Sequence, residues 1–255
     1  MDLFTHSRRA LARAVCPIAL GLACVAPPAF AADAVGSSAD TEPAGPNTLY
    51  FGISQLTSHS RLADLAGFNT PPALNLNVGN ATTAGFGFVR RLRPHWSAEL
   101  ALGAPPRVRT DAMGAGWSRL GIQPGTGVTD VHIVSPTAFL NYHFGGEGTR
   151  WDPFVGVGIN YTRFTDTTAL PALNGHLGPT RISLSDSWGA AAHAGLVYRW
   201  DARWSLTAAL AIADVHSNLT STSVSPLNST LITSQGSTRI DFRPVVYTLG
   251  LGYSF

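Results

Sequence analysis

The strongest constraint on the fold is a strict two-residue alternation at the C-terminal end. From position 245 onward, large apolar side chains alternate with small or polar ones, the apolar set being Val245, Tyr247, Leu249, Leu251, Tyr253 and Phe255. A period of two indicates a β-strand with one face in an apolar medium. An exposed edge strand of this kind would aggregate in water. The pattern therefore favours a strand that faces lipid and pairs with the first strand, over the last strand of a soluble sandwich.

The composition agrees with a membrane barrel. The 255 residues include 26 glycines, only 13% are charged, and the mean hydropathy is +0.12. No run of 18 consecutive apolar residues follows position 30, so the sequence offers no transmembrane helix. Modest hydropathy with abundant glycine and alternating segments is typical of a transmembrane β-barrel.

The N-terminal region reads as a targeting segment. Arginines precede an apolar run over 14–26, and an A-x-A cleavage site ends at Ala31, so we predict a signal peptide over 1–31. Residues 32–46 are small, polar and proline-containing, which predicts a flexible periplasmic segment before a barrel domain over 47–255.

Cleavage at that site would change the chemistry of the chain. Cys16 and Cys24 would leave, together with three of the 17 basic and one of the 15 acidic residues. The mature chain would carry 14 of each charge and be formally neutral. It would then have no disulfide or thiol chemistry, and neutrality argues against nucleic acid as a partner.

Alternating segments predict seven further strands upstream. With the last, they cover 48–56, 82–92, 96–103, 134–144, 152–164, 186–200, 204–216 and 238–255. The connections alternate long and short, beginning and ending with a long one. An outer-membrane barrel with both ends in the periplasm has three short turns and four long outer loops. The sequence therefore predicts an all-β, eight-stranded antiparallel up-and-down transmembrane β-barrel.

Several motifs resemble the OmpW/AlkL family of small outer-membrane barrels. They are Ser97-Ala98-Glu99-Leu100, Ser135-Pro136-Thr137 with 141–144, and the stretches 153–162, 186–189 and 250–255. The resemblance implies the outer membrane of a Gram-negative bacterium, a narrow and largely apolar lumen, and passage of small hydrophobic molecules. Thr248, Gly250, Tyr253 and Phe255 also resemble the C-terminal insertion signal of such barrels, which implies outer-membrane lipid and the barrel-assembly machinery as partners.

Glycines are frequent on the face predicted to line the lumen, for example Gly85, Gly87, Gly156 and Gly195. They would either leave free volume for a slender apolar solute or relieve strain in a tightly curved barrel. The sequence leaves both explanations open.

The upper part of the last segment departs from the pattern below it. Ile240 and Phe242 share the parity of the inward residues, which predicts a hydrophobic collar at the outer mouth if the register is kept. Pro244 cannot donate to a sheet ladder, so a bulge near Arg243 that reverses the faces is the alternative.

Four other apolar residues are candidate lumen or gate residues. Trp188 resembles the family's tryptophan near the extracellular mouth, whereas strict parity makes it a lipid-facing girdle residue. For Leu74 and Leu76 in the first long loop, the sequence leaves two explanations open: they line an apolar entrance, or they pack within the loop. Phe139 is on the inward face of the fourth strand.

Five charged or titratable residues also have inward parity: Arg91, Glu99, His143, His193 and Arg199. Buried charges must be paired, so we predict an internal polar plug in the periplasmic half rather than a proton or ion path. A plug below an apolar upper lumen predicts that a solute leaves sideways into the membrane.

The sequence therefore predicts a passive path for small hydrophobic molecules across the outer membrane. The alternative is a structural or surface-interaction barrel with a plugged lumen and binding loops. No hydrolase, metalloprotease or phosphate-binding motif occurs, so we expect no enzyme activity, cofactor or metal.

Overall fold

The structure, a computed structural model, describes residues 45–255 apart from positions 59, 63, 147 and 229. The predicted signal peptide (1–31) and most of the predicted segment 32–46 lie outside the described residues. The elements in chain order are β1 (Asn47–Thr57), β2 (Ser60–Leu62), β3 (Ala66–Phe68), β4 (Asn75–Val78), β5 (Ala81–Arg93), β6 (Trp96–Gly103), β7 (Arg107–Met113), α1 (Gly116–Arg119), β8 (Gly127–Val134), β9 (Thr137–His143), β10 (Trp151–Ala169), α2 (Pro171–Leu177), β11 (Thr180–Leu184), β12 (Ser187–Arg199), β13 (Trp204–Ala213), β14 (Val215–Val224), β15 (Ile232–Phe242) and β16 (Val245–Ser254). Within the described ranges, neither helix has the length and hydropathy to span a membrane.

Eight antiparallel strands form a closed barrel in the order β1, β5, β6, β9, β10, β12, β13 and β16. The last strand closes on the first along a continuous register from Thr48 opposite Ser254 to Thr57 opposite Val245. At the end of this seam, Asn47 N donates to Phe255 O at 3.2 Å and Phe255 N donates to Asn47 O at 2.8 Å. The predicted eight-stranded up-and-down barrel is confirmed.

The two faces of the barrel strands follow the predicted alternation. Outward apolar residues are exposed, as with Phe51 at 57% and Val157 at 67%, while inward Ser97 and Asn141 are buried. The three short turns lie at the end of the barrel that carries Asn47 and Phe255. That end is the periplasmic one in an outer-membrane barrel.

The prediction that the four long connections are loops is wrong, because much of each connection is β-sheet. Strand β10 continues to Ala169 and pairs with β8, which extends through β7 to β4, while β14 and β15 form a second sheet with β11, β2 and β3. The fourth connection looked like a loop because it is rich in Ser, Thr and Asn. Its threonines are β-branched and suit strands, and buried Ser217 and Leu219 give it an inward face.

Prolines explain the remaining boundary differences. The fourth barrel strand begins at Thr137 rather than 134, since Pro136 cannot donate to the ladder and Val134 belongs to β8. The last predicted strand divides at Arg243 and Pro244 into β15 and β16. Opposite this break, the seventh strand ends at Ala213, and Arg243 Nε donates to Asp214 Oδ1 at 2.8 Å.

Candidate functional site: the barrel lumen and its outer cap

A cavity of about 960 Å³ occupies the barrel interior. On the β13, β16 and β1 side its wall consists of short side chains, including Ser54, Thr207, Ala209, Ala211 and Thr248. The hydroxyls of Ser54 and Thr248 bond to each other at 2.9 Å, and those of Thr48 and Ser254, near the periplasmic end, do so at 2.8 Å. The Ser54 and Thr248 hydroxyls therefore satisfy each other, and the alanines of β13 add methyl groups to this wall.

A polar layer crosses the lumen below this region. Tyr50 Oη donates to Glu99 Oε1 at 2.7 Å, and Asn141 Nδ2 donates to Glu99 Oε2 at 2.7 Å. His193 Nε2 lies 2.6 Å from Asn141 Oδ1 and its ring stacks on Phe139 with the centroids 3.7 Å apart. The layer joins side chains of several barrel strands across the interior, which narrows the lumen at this height.

A second polar layer lies at the periplasmic end around one carboxylate, on the β5, β9, β10 and β12 side of the lumen. The lining of the cavity continues past this layer to Pro46, Trp200 and Ala202. Asp152 is fully buried, and its Oδ2 accepts hydrogen bonds from Arg199 Nη2 at 2.8 Å and Arg91 Nη2 at 3.3 Å. His143 Nδ1 lies 2.9 Å from the same oxygen, while Gly145 N donates to Oδ1 at 3.2 Å. A buried carboxylate requires partners of this kind to offset its lost hydration.

Ser97, His143 and Asp152 have the hydrogen-bond connectivity of a serine hydrolase triad. Ser97 Oγ lies 2.8 Å from His143 Nε2, on the opposite side of the ring from Asp152. A catalytic serine must present its oxygen to a substrate carbonyl, whereas the Ser97 side chain is completely buried. Two arginines also occupy the carboxylate, so the arrangement fits a structural polar layer better than a nucleophile.

The structure brings all five predicted plug residues, Arg91, Glu99, His143, His193 and Arg199, into these two layers. Arg91 pairs with Asp152 rather than with its diagonal neighbour Glu99. Sequence reasoning missed Tyr50, Ser97, Asn141 and Asp152 as network members. Their inward parity was visible, but which of them meet depends on the register of strands far apart in sequence.

The lumen glycines have a third explanation besides free volume and curvature. The ring of Tyr50 occupies the space beside Gly87, and the ring of Phe154 occupies the space beside Gly195. Gly156 likewise makes room for Asn141 and His193. At these positions glycine allows a large side chain from a neighbouring strand to lie across the lumen.

An apolar cap covers the outer end of the lumen. Ile240 and Phe242 are buried while Arg239, Asp241 and Arg243 are exposed, so the inward parity is kept across the break at Pro244. The orientation expected for a collar is therefore observed, and the face-reversing bulge is not. Ile133, Val215 and Phe242 separate the main cavity from a smaller one of about 50 Å³ above it.

The first-loop leucines belong to this cap. Leu74 packs in its core with Trp117, Ile122 and Leu173, and borders neither cavity. Leu76 is buried in the same core and also borders the smaller cavity. Of the two residues, only Leu76 therefore lies where a solute in the cap would pass. Phe139 lines the main cavity.

The interpretation of Trp188 as a lumen constriction is wrong. The side chain is 71% exposed on the outer surface and packs against Tyr161, with the ring centroids 4.7 Å apart. Strict parity decides its direction, because buried Ser187 and inward Gly189 flank it. Trp188 is a girdle residue at the outer end of the lipid-facing surface.

The barrel wall has an interruption beside the main cavity. The ladder between β6 and β9 ends where Ala101 pairs with Thr137, and sheet pairing resumes with Arg107 opposite His132. Among the described residues, no ladder pair joins 102–105 to 134–136, a stretch that contains prolines on both sides. Gly103 and Ser135, on the two sides of this interval, both border the main cavity.

The C-terminal signal residues lie on both faces of β16. Thr248 and Gly250 point inward, whereas Tyr253 packs edge-on against Trp204 with centroids 5.0 Å apart and Phe255 is exposed. The aromatic pair stands on the lipid-facing surface near the periplasmic turns, where interfacial aromatics are expected.

Comparison with known proteins agrees with this architecture. The sequence profile of the OmpW family matches residues 51–255. Outer membrane protein W of Vibrio cholerae is 27% identical over 186 residues, covering 72% of this chain and 76% of the relative. The crystal structure of the outer membrane protein OprG from Pseudomonas aeruginosa superposes with a TM-score of 0.69 at 21% identity, covering 84% of this chain and 97% of that one. The solid-state NMR structure of outer membrane protein AlkL in DMPC lipid bilayers superposes with a TM-score of 0.57 at 21% identity, covering 86% of this chain and 95% of that one. The chain therefore belongs to the OmpW family of outer-membrane β-barrel proteins.

Proposed function

We propose that this protein gives small hydrophobic molecules a passive path from the outside into the outer membrane. The observation that carries the proposal is the contrast between the two ends of the lumen. At its outer end the cavity meets short side chains and an apolar cap, whereas at the periplasmic end an ion-paired network around buried Asp152 occupies one side of the lumen. The family resemblance supports the same class of solute.

The periplasmic layer makes a straight passage costly. A solute leaving there would pass beside Asp152 and the partly exposed guanidinium groups of Arg91 and Arg199, and would displace their hydration at a cost. An apolar solute offers no compensating hydrogen bonds. We therefore propose that the solute leaves sideways, through the interrupted wall between β6 and β9, where Gly103 and Ser135 border the cavity.

Cross-linking of the wall tests the route. The predicted mature chain lacks cysteine, so Gly103→Cys and Ser135→Cys can be joined by a short bismaleimide. Uptake of a small apolar tracer is then compared between cells with wild type, no protein, each single-cysteine variant and the cross-linked pair. We expect wild type to speed uptake and the cross-linked pair alone to lose that gain.

The outcomes separate the two parts of the proposal. Unchanged uptake after cross-linking would overturn sideways release but leave transport standing. Equal uptake with and without the protein, across several apolar tracers, would overturn transport.

The extracellular tip favours a second candidate, surface interaction. Leu227 is 98% exposed, and Phe68 and Leu231 are also exposed. Exposed apolar residues at an extracellular tip are suited to binding a partner. Deletion of 226–231 should abolish binding to cells or matrix proteins if this function is real, and should leave tracer uptake unchanged. Insertion through the barrel-assembly machinery is a common requirement of both candidates.

A further inference from the structure

Two aromatic pairs mark the height of the membrane on adjacent strands β10 and β12. Trp151 packs against Tyr198 near the periplasmic turns with the ring centroids 4.4 Å apart, and Tyr161 packs against Trp188 at the other end with the centroids 4.7 Å apart. The pairs stand ten positions apart along each strand. At about 3.3 Å per residue and a tilt of about 40°, ten positions span about 25 Å, the height of the apolar band of such barrels. The hydrocarbon region therefore ends at Tyr161.

Basic side chains stand directly above this edge, on the outer face of β7, β8 and β10. Arg163 lies two positions beyond Tyr161, about 5 Å higher at the same rise and tilt. Arg107 pairs with His132 across β7 and β8, and Arg163 is opposite Val134 on β8. The inward neighbours Val108, Val131 and Ile133 are buried, which fixes the outward direction of these basic groups.

Carboxylates on this face contact only some of its basic groups, and Asp186, next to the end of the β10–β12 ladder, accepts from Tyr161 Oη at 2.6 Å. Arg109 donates to Asp130 at 3.4 Å, and Asp166 lies 3.8 Å from His132 Nδ1. Within the described part of the chain, Arg107 and Arg163 have no ion pair or side-chain hydrogen bond. By contrast, Arg239 on β15 pairs with Asp241, and Arg243, just after β15, pairs with Asp214.

We infer that Arg107 and Arg163, with His132 between them, bind the phosphate groups of the phosphorylated glycolipid of the outer leaflet. The phosphates of that lipid lie just outside the hydrocarbon. Arg163 stands about 5 Å beyond its edge and Arg107 about 10 Å, because Arg107 is level with Thr165 through His132. Arginine is suited to them because its planar guanidinium binds phosphate through two parallel hydrogen bonds. A bound glycolipid would stand against the outer wall of the barrel, next to Pro106 and the interrupted ladder.

Thermal unfolding of the refolded barrel in detergent tests the inference. The probes are diphosphorylated lipid A, the same lipid without phosphates, and inorganic phosphate. We expect only the diphosphorylated lipid to raise the Tm of wild type. The R107S/R163S variant should bind it about tenfold more weakly, because charge-assisted contacts to phosphate are lost.

The R119S/R181S variant is the matched control, since it loses two exposed arginines away from this face and should respond like wild type. If R107S/R163S does not refold, R107K/R163K replaces it and should bind more weakly than wild type, because lysine lacks the bidentate fork. Equal stabilisation by the dephosphorylated lipid or by inorganic phosphate would overturn the inference. An unchanged response of the arginine variants would overturn it as well.

Discussion

The phenol ring of Tyr50 lies directly against the backbone of Gly87 on the neighbouring strand, in the space that a β-carbon would fill. The contact lets Tyr50 reach Glu99 at 2.7 Å across the lumen. We predict that Gly87→Ala displaces the ring, breaks this hydrogen bond and destabilises the folded barrel by about 1–3 kcal/mol. Urea unfolding of the refolded protein measures the change.

Gly103→Ala is the matched control, because the nearest atoms to its added methyl group are 3.7 Å away. It should leave stability unchanged or raise it slightly. In a Tyr50→Ala background, the G87A substitution should cost much less than in wild type, since neither the ring nor its hydrogen bond is then present. Equal stability of G87A and G103A would contradict the argument.

Asp152 organises the periplasmic layer, so Asp152→Asn should be strongly destabilising. The change removes the counter-charge of Arg199 and Arg91 while leaving both guanidinium groups partly buried. Loss of one partner of a buried ion pair costs about 3 kcal/mol or more. The free energy of unfolding in urea is the readout, and Asp166→Asn, at an 81% exposed side chain, is the control. A loss no larger than that of the control would refute the structural importance of this carboxylate.

Phe242 separates the two cavities, and substitutions there should change uptake in opposite directions. Phe242→Asp places a charge in the apolar cap and should abolish tracer uptake. Burying an isolated carboxylate is unfavourable, and so is its contact with an apolar solute. Phe242→Ala opens the constriction and should keep or raise uptake. Ser237→Asp adds the same charge on the exposed face of β15 and should have no effect.

A similar decrease for F242D and S237D would show that charge in the cap region, rather than the lumen constriction, matters. Surface labelling and electrophoretic mobility of the folded barrel confirm equal amounts in the membrane. Heat-induced unfolding compares the stabilities of the three variants.

Trp188 faces lipid, so Trp188→Ala should leave tracer uptake unchanged. Subtracting the fluorescence of Trp188→Phe from that of wild type gives the emission of Trp188. Acyl chains that carry bromine near the headgroup should quench this emission. Quenching should be weaker when the bromine is at the bilayer centre, because Trp188 stands at the outer edge of the apolar band. If Trp188→Ala reduced uptake as much as F242D does, the result would contradict a lipid-facing position of Trp188 and would indicate that its side chain lines the lumen.

The barrel itself was predictable because period-two alternation records the environment of each face directly. Phe51 and Val157 face lipid and Thr248 faces the lumen as the pattern indicates. Parity also placed Ile240 and Phe242 inward, and correctly contradicted the family analogy for Trp188.

The contacts across the lumen were not predictable in the same way. Asp152 and Arg91 meet although 61 positions separate them, and their meeting depends on the relative stagger of four strands. The extracellular sheets were missed for a different reason. Their strands are rich in Ser and Thr, and the apolar residues that bury them, such as Leu74 and Leu173, come from other connections. Local pattern alone does not reveal a core shared among distant segments.

The seam between β1 and β16 has a consequence for how the chain is made. Every pair along it joins the beginning of the barrel to its end, from Thr48 opposite Ser254 to Thr57 opposite Val245. Contacts of such long sequence separation form late and slowly. Until they form, two unpaired strand edges are available to other chains. Synthesis of the final strand is therefore the event that permits closure, and the unfinished chain depends on chaperoning for the whole interval before it.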